Sequence, residues 1–200
     1  MTDAASASPT RPGPGSTTAP AVWTIGHSTR SWEEFLDLLA ECGIGAIADV
    51  RRFPGSRRYP WFASEAMAEQ LPAAGLQYHW LPQLGGRRKA RPGSPNAAWR
   101  NAAFQGYADH LRSSEFAQGL DLALQSARAC RTALMCAEAV WWRCHRRLIS
   151  DVLVHRGHEV VHILGAGQYQ RHGLHPDARA DGDLLVYPPV QAALFPGGSG

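Results

Sequence analysis

The chain has 200 residues, 44% of them apolar, and a formal net charge of +3, which fits one hydrophobic core of ordinary size and leaves little for a second. No run approaches the roughly 18 apolar residues of a bilayer-spanning helix, so a membrane protein is not expected, and so small a charge does not by itself imply a nucleic-acid partner. Four cysteines without an apolar leader segment point to reduced thiols in the cytoplasm rather than to a disulfide framework.

Residues 1–20 are mostly Ala, Ser, Thr, Pro and Gly and read as a disordered tail. Residues 21–188 read as a single α/β domain and 189–200 as a flexible C-terminal tail. Ala21 to His27 has the pattern of a short buried strand, and Ser31 with Glu34 has capping-box spacing for a helix start. Phe35, Leu36, Leu38 and Leu39 supply that helix with an apolar face, Gly43 stops it, and a second strand follows over Ile44 to Val50. The Pro-, Arg- and aromatic-rich stretch Phe53 to Phe62 reads as an ordered loop before a helix from about Ser64 to Ala74. A third strand, Leu76 to Leu81, runs into Leu84-Gly85-Gly86 and a long polar loop to about Asn96. From Ala97 to Ala129 the apolar spacing is helical, with a break near Ser113-Ser114 that divides it into two helices. A fourth strand, Thr132 to Cys136, precedes an amphipathic helix carrying Leu148, Ile149, Val152 and Leu153, with Cys144 expected in its first turn. A fifth strand spans Glu159 to Leu164, and Leu184 to Tyr187 could add an edge strand. Strands alternating with helices imply a mostly parallel sheet of about five strands with helices on both faces.

In such a sheet ligands bind beyond the carboxyl ends of the strands. His27 and Ser28, Asp49 and Arg51, Gly85 and Gly86, Cys136 and Glu138, and His162 all fall there. The densest cluster is Cys136, Glu138, Cys144, His145 and Arg146, which places two thiols, a carboxylate, an imidazole and a guanidinium within eleven residues. Taken singly, each cysteine also fits a small apolar core position. Basic residues recur as Arg51, Arg52, Arg57 and Arg58, then Arg87, Arg88, Lys89 and Arg91, then Arg143, Arg146 and Arg147, runs that are commonly solvated surface. Asp49 among arginines fits a loop-ordering ion pair as well as a ligand contact. Trp61, Phe62, Trp80, Trp99, Trp141 and Trp142 could stack bases, though such aromatics more often fill a core.

Three chemistries fit the junction. Cys136, Cys144 and His145, with His27, could bind zinc or iron, although no C-x-x-C or H-x-x-x-H spacing supports it. A cysteine after a strand, with an arginine opening the next helix, could serve as a nucleophile above an anion-cradling loop. In the reading preferred here, His27, Ser28, Asp49, Arg51, Arg57, Arg58, Gly85, Gly86 and Arg146 bind a phosphate-bearing or otherwise anionic ligand, a nucleotide or nucleic acid. Glu138 is then the acid or base, with Cys136, Cys144 and His145 as its catalytic partners. A non-catalytic nucleic-acid-binding protein and a metal-binding or thiol-redox protein are the rival classes.

Through Thr24-Ile25-Gly26-His27-Ser28, Asp49-Val50-Arg51, Phe53-Pro54 with Ser56-Arg57-Arg58, Leu84-Gly85-Gly86, Cys136-Ala137-Glu138, Cys144-His145-Arg146 and Val161-His162-Ile163, in that order, the chain resembles the bacterial and archaeal family called domain of unknown function 488. The resemblance covers about Val22 to Tyr187. Family members often carry a proline between the glutamate and the second cysteine, where this chain has Ala139-Val140-Trp141-Trp142-Arg143. The resemblance implies an α/β fold and an intracellular protein, and it implies no particular reaction.

Overall fold

Ser31 caps the first helix as its spacing predicts: its hydroxyl accepts the Glu34 amide, and the Glu34 carboxylate accepts the Ser31 amide at 2.8 Å. A computed structural model describes residues 19–189, so the tails expected over 1–20 and 189–200 lie outside the described residues except for Ala19, Pro20 and Pro189. The strands are β1 (Val22–Gly26), β2 (Ala46–Asp49), β3 (Gln77–Trp80), β4 (Thr132–Cys136), β5 (Val160–Gly165), β6 (Gln168–Arg171), β7 (Arg179–Asp181) and β8 (Leu184–Val186). The helices are α1 (Trp32–Glu41), α2 (Ser64–Ala73), α3 (Ala102–His110), α4 (Ser114–Ala129) and α5 (Arg146–His155).

The main sheet has the order β3-β2-β4-β1-β5-β6. All its pairings are parallel except that of β6 with β5. Strand residues alternate between two cores. Ala133 and Met135 of β4 join Phe35, Leu39, Met67 and Leu71 beneath α1 and α2. Leu134 and Cys136 face the other way, among Tyr107, Phe116, Leu148 and Ile149 of α3, α4 and α5. From β1 the chain crosses over β4 to reach β2, and from β4 it crosses over β1 to reach β5, so the crossovers leave the centre in opposite directions. That reversal opens a crevice beyond the carboxyl ends of β1, β4 and β2.

Several details depart from the sequence reading. The main sheet has six strands rather than about five, because β6 (Gln-Tyr-Gln-Arg) is exposed throughout and carries no apolar alternation to announce it. The strand at Leu184 belongs to a separate hairpin with β7, not to an edge of the main sheet. Residues 97–101 are not helical; Asn101 caps α3 through its side chain. Ser113 does divide the helical stretch, accepting the Phe116 amide at 3.1 Å to start α4. Cys144 is not in the first turn of α5 but just before it, in extended backbone (φ −121°, ψ 149°) after a 3-10 turn over Trp141–Arg143. Among the described residues no helix is long and apolar enough to cross a membrane.

Candidate functional site

His27 leaves the end of β1 with its backbone N–H on the Cys136 carbonyl at 2.9 Å, so the ends of β1 and β4 are held side by side. Ser28 continues this with its N–H on the Ala137 carbonyl, in the left-handed region at φ 51°, a conformation that costs a non-glycine residue about 1 kcal/mol. Gly26 permits the arrangement. A Cβ there would lie 2.0 Å from the Glu138 carbonyl oxygen, so only glycine lets the loop after β4 cross the end of β1.

Asp49 and Arg51 form a buried ion pair at the end of β2. The guanidinium grips both carboxylate oxygens, with Nε to Oδ1 at 2.8 Å, and the Arg51 amide and Tyr78 hydroxyl complete the shell. Arg51 also donates to the Phe62 carbonyl and, at 3.2 Å, to His27 Nε2. His27 Nδ1 then donates to the Ser28 carbonyl at 3.0 Å. Burial, reinforced by the Arg51 charge, lowers the His27 pKa to about 4. His27, Asp49 and Arg51 therefore form one neutral-imidazole, ion-paired unit that supports the crevice floor.

Cys136, at the end of β4, and Cys144, ahead of α5, are both buried. With His145 they place their ligand atoms within 4.8 Å of one another, compact enough to share one zinc or iron ion. Cys144 Sγ lies 3.6 Å from His145 Nδ1, and His145 Nε2 meets the Val50 carbonyl at 2.9 Å. Since a carbonyl can only accept, Nε2 carries a proton, and Nδ1 is the ring nitrogen that faces the Cys144 sulfur. Burial pushes the Cys144 thiol up, but the Cys136 hydrogen bond and the His145 and Arg146 charges outweigh it and hold Cys144 well below the usual thiol range. The same hydrogen bond, with burial, raises Cys136 well above that range.

Two recesses meet over this pair. One, of about 190 Å³, is bordered by Arg52 and Phe53; the other, of about 380 Å³, by Glu138, Arg143, Phe104 and Tyr107. Gly86, Arg87, Cys136, Ala137 and His145 line both. The loop carrying Gly85 and Gly86 is fastened from below: Tyr107 donates to the Leu84 carbonyl, and Arg88 donates to the Gly85 carbonyl while pairing with Glu115 on α4. A Cβ on Gly86 would stand 2.9 Å from His145 Nδ1. Gly86→Ala is therefore expected to push the imidazole off Cys144 and slow alkylation of that thiol, without large loss of stability; an unchanged alkylation rate would refute the contact.

The sequence-selected residues do not all converge. Cys136, Glu138, Cys144, His145 and Gly86 line the recesses; Arg51 borders the smaller one, but its guanidinium is committed to Asp49. Arg146 is 1% exposed and lies beneath the floor. Arg57 and Arg58 are exposed and line neither recess. The guanidinium groups that do face the crevice belong to Arg52, Arg87 and Arg143, all exposed. Their charge was legible in the sequence, but their direction was not. The Val50 carbonyl that fixes His145 has no sequence signature at all.

A family model described as Domain of unknown function DUF488 matches residues 31–153. This span contains β2, β4, the glycine loop and the Cys144-His145-Arg146 segment, while His27 and His162 fall outside it. Neither a curated protein nor a solved structure matches the chain.

Proposed function

The chain belongs to the family of Domain of unknown function DUF488, and on that premise we propose that it is an enzyme acting on a phosphate-bearing ligand, a nucleotide or nucleic acid, with Cys144 as nucleophile and His145 as its base. The observation that carries this reading is the Cys144–His145–Val50 arrangement at the crevice floor: a sulfur 3.6 Å from an imidazole nitrogen whose other nitrogen is pinned by a backbone carbonyl. A nucleophile, a base and a group that orients the base are the parts covalent catalysis needs. Cys144 passes its proton to Nδ1, Cys136 donates to the resulting thiolate, and Glu138 on the wall of the larger recess is available to a leaving group.

The ligand class follows from the rim. Arg52, Arg87 and Arg143 offer guanidinium donors without a carboxylate partner among the described residues, a setting suited to phosphate oxygens. Phe53 is 66% exposed and has Arg52 and Arg87 at 5.7 and 6.0 Å from its ring centre. An exposed ring with two cations beside it suits a stacked base with its phosphates alongside.

Iodoacetamide alkylation at about neutral pH, resolved cysteine by cysteine by mass spectrometry, tests the reading. Cys144 is expected to react about tenfold faster than Cys42 or Cys130. A short oligothymidylate should protect it, with protection weakening in salt and lost in Arg87→Glu. Reaction of Cys144 no faster than Cys130 would remove it as nucleophile, and protection unaltered by Arg87→Glu would remove the rim as the binding surface. One equivalent of zinc or iron in anaerobically purified protein would assign the three side chains to a metal instead.

A further inference from the structure

Arg146 is 1% exposed, yet no carboxylate lies within ion-pair distance of it among the described residues. Nη2 donates to the carbonyls of Glu138 and Ala139, which ties down the loop between Cys136 and the 3-10 turn, and Nη1 donates to Thr24 Oγ1 at 3.3 Å. Its Nε has no partner. A guanidinium so placed is costly unless an anion compensates it.

The compensation runs through the interior. Thr24 Oγ1 lies 2.7 Å from His162 Nδ1, His162 Nε2 lies 2.9 Å from His172 Nδ1, and His172 Nε2 lies 2.9 Å from Asp151 Oδ1. Asp151 is fully buried and also accepts the Tyr187 hydroxyl and the His175 amide. Asp151 can only accept, so with both rings neutral each carries its proton on Nε2, and the Thr24 hydroxyl, accepting from Arg146, gives its own proton to His162 Nδ1. Burial lowers the His162 pKa to about 2, and the ring stacks on Trp141 at 4.3 Å between centres. A chain of hydrogen bonds oriented one way between a cation and an anion is strengthened by mutual polarisation.

We propose that Asp151 is a positioning residue and remote counter-ion of Arg146, acting through His172, His162 and Thr24 to hold the guanidinium beneath the Glu138 loop at the Cys144 centre. The inference rests on the nucleophile reading only in that Arg146 borders the reacting thiols. None of His162, His172 and Tyr187 lies within residues 31–153, so this support comes from outside the span matched to the family.

Two measurements on the full chain test it. Imidazole nitrogen NMR should find His162 and His172 neutral at about pH 7, each with its proton on Nε2; a proton on Nδ1 of His162 overturns the proposal. Thr24→Val, which removes one hydroxyl at nearly constant shape, should lower the alkylation rate of Cys144 by about threefold or more and leave Cys42 and Cys130 unchanged, while Thr24→Ser restores the rate. Wild-type reactivity in Thr24→Val also overturns it. If Cys144 in the wild type proves no more reactive than Cys130, the nucleophile reading fails, and the relay then stands or falls on the two tautomers.

Discussion

Lowering the pH from about 7 to about 4 is expected to destabilise the fold by several kcal/mol, because two buried imidazoles refuse protons that the unfolded chain accepts. Unfolded histidine titrates near 6.5, whereas His27 does so at about 4 and His162 at about 2. Below 6.5 the unfolded state therefore binds more protons than the folded one. Stability that is fully present above 6.5 is lost as the pH falls toward the folded-state values. The His27 shift alone corresponds to about 3 kcal/mol, and His162, 1% exposed, adds to it across the same window and below. Urea midpoints measured between about pH 7 and pH 4 should fall steeply, and His162→Gln should flatten the slope. Midpoints that do not move with pH would refute the assignment.

Arg51→Met is expected to cost about 3–5 kcal/mol. The Asp49 side chain is 0% exposed and that of Arg51 7%, so losing the guanidinium strands a carboxylate that keeps only the Tyr78 hydroxyl and a backbone N–H. The pair is not a surface bridge, for which less than about 1 kcal/mol would be expected. The double variant Asp49→Asn with Arg51→Met should recover much of the loss in urea unfolding, since no uncompensated charge then remains. A single variant as stable as the wild type would show that water reaches Asp49.

Most of the fold was legible because its periodicities are local. The Ser31–Glu34 box, the apolar run of β4 and the spacing of Leu148, Ile149, Val152 and Leu153 each announce an element without help from the rest of the chain. β6 was not legible, since an edge strand with both faces wet needs no apolar pattern. At the candidate site, the chemical types in Cys136-Ala137-Glu138 and Cys144-His145-Arg146 could be read, and so could the strand ends that bring them together. What each group touches could not. Asp49 left its ion pair and a ligand contact equally open, and the structure gives it the ion pair. Arg146 reads in sequence as a ligand for anions, yet it is sealed inside. His172, in a stretch that reads as loop, and Tyr187, at the end of the strand expected over Leu184 to Tyr187, carried no signal of the buried relay they join.

The central position of β1 also bears on how the chain is made. Its two neighbours are β4, where Trp23 lies opposite Ala133, and β5, where Val22 lies opposite Val160. On a ribosome β1 would thus wait for the more than 100 residues that separate it from β4 before either partner existed, and contacts so distant in sequence form slowly. His27 can take its place beside Cys136 only after that insertion. The crevice is then among the last parts of the molecule to assemble, so an incomplete nascent chain would display the cysteines without the reactive centre.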